Sequence, residues 1–125
     1  MRPFARIWLC AYLLGWVPLN YAAEVSRTLP SIGFRGAPAA IELATHGLIA
    51  ATSAAAGWML WIGTAAGSAL AATAVLAAAA GSVQSLYWSA LPHNLPPGTK
   101  LPLALVAMSH GAGWFLYLRR RGDDG

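Results

Sequence analysis

The chain has 125 residues, of which 58% are hydrophobic and only 10% charged, whereas an ordinary soluble domain carries about 25% charged residues. That balance, with a mean hydropathy of +0.55, excludes a soluble globule. The net charge of +4 does not point to nucleic acid, because the basic residues gather at the chain ends and in loops instead of on a polar face interleaved with aromatics. The composition predicts an all-α integral membrane protein: one domain, 1–125, built as a four-transmembrane-helix bundle whose first partner is the lipid bilayer.

The first predicted span covers about 7–23, after Arg2 and Arg6, and Pro18 is expected to kink it. A cleaved signal peptide is the competing reading of this segment, but Asn20 or Tyr21 fits the small-residue cleavage rule poorly. Cys10 is the sole cysteine, which excludes an internal disulfide and a cysteine-rich metal centre. Residues 24–37 carry three charges and several turn formers and are expected to form an outer loop, with Glu24 paired to Arg27 at the surface.

The second span, 38–62, opens at Pro38, which suits a first helical turn, and closes on Trp58 and Trp61. It carries Glu42 and His46 one turn apart, on a stripe with Thr45, Ile49 and Ser53. The third span, 65–91, is dominated by alanine, which suits close helix packing more than contact with lipid. Gln84, Ser85 and Tyr87 lie at its outgoing end. A second outer loop, 92–100, carries His93 and three prolines, and the fourth span, 101–118, contains Met108 and His110 and leads into a basic tail, 119–125.

Lys and Arg are densest at the two termini and absent from the turn between the second and third spans, so both termini are expected on the cytoplasmic side of a plasma membrane, the bacterial inner membrane. Helices two and four then enter from outside. At about 1.5 Å per residue, Glu42 falls ~6 Å and both His46 and His110 ~12 Å below their entry prolines. Laying Pro38 on Pro102 also lays His46-Gly47 on His110-Gly111 and Asn20 on Gln84, a pattern compatible with two helical hairpins related by a pseudo-two-fold axis.

Ionisable groups at such depth point to function. Two imidazoles from two helices suggest a b-type haem, or a transition metal held by His46, His110 and Glu42 with Gln84 beside them. Met108 would suit copper. Asn20, Glu24, Tyr87 and His93 form the expected periphery. A pocket for a small apolar ligand or quinone, with Glu42 and His46 as hydrogen-bonding or proton-transfer groups, is a further reading. The bland alternative is structural: Glu42 and His46 bond each other and a neighbouring helix, worth about 1 kcal/mol, while Asn20 and Gln84 join helices and His93 is a solvated loop residue. Two non-enzymatic classes compete, an accessory subunit docked on a membrane partner and a small transporter or pore-forming homo-oligomer. The chain has no nucleophile triad, phosphate loop or zincin motif, and whether it is an enzyme stays open at this level.

Overall fold

The computed structural model describes residues 1–32, 36–91 and 95–123, with side chains except at 29–32 and 122–123. Arg35 and His93, the latter an expected peripheral site residue, lie outside the described residues. The described chain is all helical: α1 (Pro3–Cys10), a π-helical segment (Ala11–Trp16), α2 (Val17–Ile32), α3 (Ala37–Ile62), α4 (Gly67–Tyr87) and α5 (Lys100–Asp123). Helical backbone is continuous from Pro3 to Ile32, so the first three elements form one rod and the described residues form four.

The π segment has a local cause in Pro18. A proline in a helix lacks an N–H and its ring crowds the carbonyl four residues back. Just before it, the Val17 N–H reaches the Tyr12 carbonyl, five residues away, and the wider turn lets the helix continue.

The expected 24–37 loop is therefore corrected: the helix runs on through Glu24, Arg27 and Thr28 to Ile32. Residues 22–29, AAEVSRTL, contain neither Gly nor Pro, and nothing in them stops a helix. Polarity had marked the segment as a connector, yet polarity does not break helices. α5 likewise continues through the arginines expected in a tail, to Asp123. Among the described residues, the helices long and apolar enough to cross a membrane are α3, α4 and α5; the first expected span, 7–23, is divided by the π segment.

α3 ends at Gly63, whose φ of 80° is left-handed. Its N–H bonds the Leu60 carbonyl, and the Thr64 N–H returns to Met59 at 3.0 Å, satisfying carbonyls that the helix end would orphan.

Helices neighbouring in sequence are neighbours in space: the first rod packs on α3, α3 on α4, and α4 on α5. At one end all four rods share a core, with Leu9, Cys10 and Leu13 against Ala56 and Leu60, the alanines of α4 with Val75, and Leu118 of α5. At the other end the buried cluster is only Ala39, Leu43 and Leu91, with Val25 against it, and α5 takes no part. The bundle is thus closed at the end that holds both termini and splayed at the other. Between the splayed rods lies a groove of about 1080 Å³, into which His46 and His110 both face.

Small residues set the spacing at the closed end. A Cβ at Gly57 would lie 2.7 Å from Leu14 Cγ, and one at Gly111 would lie 2.6 Å from Ala79 Cβ and 3.1 Å from the Val75 carbonyl. Gly111→Leu should therefore destabilise the protein by about 1–3 kcal/mol, the usual effect of overpacking. Gly113, with nothing within 4 Å of its missing Cβ, should accept Ala with a gain of up to about 1 kcal/mol from helix propensity. Denaturant unfolding in detergent, followed by tryptophan fluorescence, measures both.

Candidate metal centre

The buried polar groups of the open end converge on His46. α3 carries Glu42 and His46 on the face turned inward, 6% and 8% exposed. α2 supplies Glu24, which reaches the site only because the first helix continues past residue 23. α4 supplies Gln84 and Ser85 from its last turn, and the chain leaving α4 supplies Ser89 and Ala90.

The Nδ1 of His46 lies 2.8 and 2.9 Å from the two carboxylate oxygens of Glu24. Its Nε2 lies 2.8 Å from Gln84 Oε1, with Ser85 Oγ at 3.4 Å. The orientation of the Gln84 amide is set by its nitrogen, which donates to the Trp88 carbonyl at 3.1 Å. Both ring nitrogens of His46 therefore face oxygen acceptors. An imidazolium, with two N–H groups, satisfies both, and in that form the ring pairs with the Glu24 carboxylate as an ion pair.

Glu42 has its own partners. Ser89 Oγ–H donates to its Oε1 at 2.7 Å and the Ala90 N–H to its Oε2 at 2.6 Å, while the Leu91 N–H donates to Ser89 Oγ at 3.0 Å. The carboxylate thus fastens the chain that leaves α4, supplying an acceptor where the helix has ended. Each of its oxygens keeps a lone pair for another donor or a cation.

Glu24, Glu42 and His46 together form a set of three ligand atoms that all lie within 4.8 Å of one another. The cluster is compatible with a metal ion. His110, expected in the metal set, is not a member of it. Its Nε2 accepts from the Trp8 indole at 3.0 Å and from Trp114 at 3.1 Å, and Tyr12 packs on its ring at a centroid distance of 4.5 Å. Glu24 takes the place foreseen for His110. The two histidines occupy matching positions after their prolines but have unlike surroundings, because helix one presents carboxylate at its open end and aromatics at its closed end.

Of the remaining expected site residues, Gln84 bonds His46 directly. Asn20 lines the groove. Tyr87 is 43% exposed and packs on Trp88 instead, at 5.9 Å between centroids. Sequence reasoning missed Ser89 and the Ala90 N–H, which belong to no periodic pattern, and Trp8, Tyr12 and Trp114 as the setting of His110. Glu24 had one usable signal: it stands four residues after Asn20 and eight after Trp16, on one helical face.

Compared with known protein families, curated proteins and solved structures, the chain matches none.

Removing the Glu42 carboxylate should release the segment that it holds. In Glu42→Ala the Ala90 amide should exchange with solvent at least about tenfold faster, as expected for loss of a charge-assisted bond, while amides of the closed end, such as Val75, keep their rates. Hydrogen exchange with mass spectrometry reads both regions in one experiment.

Proposed function

We propose that this chain is an integral membrane protein that binds a divalent transition metal ion through Glu24, Glu42 and His46, at the open end of its helix bundle. Embedding is supported by three helices of spanning length and by the large apolar side chains turned outward on them, among them Leu48, Leu101, Leu105 and Leu116. The arginine-rich closed end then faces the cytoplasm, and the metal centre lies toward the opposite surface.

The observation that carries the metal reading is the convergence of two carboxylates and an imidazole from two helices within 4.8 Å. Charge supports it. With His46 protonated, the three groups sum to one negative charge, which is costly in a low-dielectric setting. A divalent ion that replaces the imidazole proton brings the sum to zero. The donor set of one imidazole and two carboxylates suits zinc, manganese, iron or cobalt better than magnesium or calcium. Ser89, the Ala90 N–H and Gln84 act as outer partners that orient the ligands. With metal–ligand bonds of about 2.0–2.2 Å, tetrahedral ligand atoms stand roughly 3.4 Å apart, so the Glu24–His46 contact opens by about half an ångström on binding. A haem held by both histidines is less well supported, because the His110 Nε2 lone pair already receives two indole N–H groups.

The test is Co²⁺ titration of the purified full chain in detergent, read by visible ligand-field absorption. One ion per chain should bind. Glu24→Gln, Glu42→Gln and His46→Ala should each weaken binding by at least about a hundredfold, given that outer-shell losses alone cost 10–100-fold. His110→Ala should bind as the parent does. Because the ion displaces a proton from His46, uptake should release about one proton, and apparent affinity should rise with pH by up to about tenfold per unit while the ring is protonated. Absence of a ligand-field spectrum, or binding indifferent to Glu42 and His46, would refute the assignment.

A further inference from the structure

The groove between the first rod and α5 carries polar groups for which the metal cluster has no use. Tyr21 lies so close to α3 that a Cβ at Gly47 would come within 2.9 Å of its hydroxyl oxygen, which fixes the ring at the groove wall. Asn20 stands beside it. Both line the groove, and neither side chain hydrogen-bonds another described residue. Trp16, one helical turn earlier, adds a broad aromatic surface to the same wall. The facing wall, on α5, is apolar: Leu103, Val106 and Ala107.

One wall thus offers hydrogen-bond donors and aromatic faces, and the other offers hydrocarbon. Within a bilayer, hydroxyl and amide groups without a partner, such as those of half-buried Tyr21 and exposed Asn20, would cost free energy that an acyl chain cannot recover. A fully polar occupant would leave the α5 wall uncompensated. The volume, about 1080 Å³, sits at the top of the range of about 300–1,000 Å³ for small-molecule sites. It exceeds what an ion or a bare ring fills. The groove runs between the first rod and α5, from Trp8 and His110 to Arg27 and Leu103. As for charge, Glu24 and His46 at the groove wall pair with each other, Arg27 also lines the groove with its Nε donating to the Ala23 carbonyl, and the groups without a partner, on Tyr21 and Asn20, are neutral.

We infer that this groove binds an uncharged, membrane-dissolved molecule with an oxygen-bearing ring and an apolar tail, the chemistry of an isoprenoid quinone or quinol. The ring packs on Trp16 and Tyr21, the Tyr21 hydroxyl and the Asn20 amide donate to its oxygens, and the tail follows Leu103 and Val106 out between the rods. The assignment does not need the metal reading: Glu24 and His46 also line the groove, but Glu42 does not, and the ring contacts fall to Trp16, Tyr21 and Asn20, none of them a proposed metal ligand.

The experiment is a titration of the full chain in lipid nanodiscs with a benzoquinone carrying two isoprene units, followed by tryptophan quenching. Quenching should saturate at about one quinone per chain. Tyr21→Phe and Asn20→Ala should each raise Kd about threefold to tenfold, the effect of one lost hydrogen bond. Val106→Trp, which fills the groove from the α5 side, should abolish saturable binding, and Leu48→Ala on the outward face of α3 should leave it unchanged. Glu42→Gln should lose Co²⁺ binding and keep quinone binding, which separates the two assignments. Non-saturable quenching, or indifference to the Tyr21, Asn20 and Val106 substitutions, would overturn the proposal. So would equal competition by a saturated alcohol or a fatty acid of the same length, which would mean that the groove takes a lipid chain.

Discussion

An imidazole enclosed by apolar helices must have every N–H received by an oxygen, and at His46 this requirement organises the open half of the molecule. Glu24 meets Nδ1 and Gln84 meets Nε2, so the ring ties α3 to the first rod on one side and to α4 on the other. Three rods are thereby held in register at an end where the hydrophobic cluster is small. The first helix can satisfy the ring only by staying helical beyond its apolar stretch. Burial of one side chain on α3 thus matches the length of an element elsewhere in the chain.

The closed end is held by a different interaction. There Leu9, Leu13, Val75 and Leu118 are almost fully buried, and glycines at the contact points let the backbones approach. Side-chain volume sets the spacing at this end, whereas hydrogen-bond geometry sets it at the other. Such a division suits a binding protein: the packed end resists deformation, and the splayed end leaves room between α5 and the first rod. His110 stands at the boundary, where Trp8 and Tyr12 from the first rod and Trp114 from α5 meet around it.

Much of this was legible in the sequence. Pro38 at the head of α3, the tight turn after Ile62 and the inward stripe of Glu42, Thr45, His46, Ile49 and Ser53 follow from periodicity and backbone chemistry, which act locally. Thr45 is the exception within the stripe, since it is exposed and bonds its own helix at Ile41. The partner of His46 was not legible, because Glu24 lies in a segment whose polarity suggested solvent. Polarity marks where a residue can be tolerated; it does not say whether another helix will supply its counterpart. For His110 the error ran the other way. Two histidines at matching distances from their entry prolines suggested convergence on one ligand, but the prolines do not stand level: His46 meets the first rod at Glu24, whereas His110 meets it at Trp8 and Tyr12, nearer the closed end.

Glu24 has a part in both of the proposed binding events, because its carboxylate pairs with His46 and its side chain also forms part of the groove wall. A metal ion at the cluster would replace the ring proton of His46 and draw Glu24 onto itself as a ligand, altering the wall seen by an occupant of the groove. An occupant packed against Tyr21 and Asn20, within one helical turn of Glu24, would in turn bias the position of that carboxylate. Two ligands that act on one side chain are coupled, and the coupling is reciprocal: whichever way the ion changes the affinity of the groove, the occupant changes the affinity for the ion by the same factor. The sign depends on which Glu24 position the occupied groove favours, the one turned to the imidazolium or the one opened by half an ångström to admit the ion.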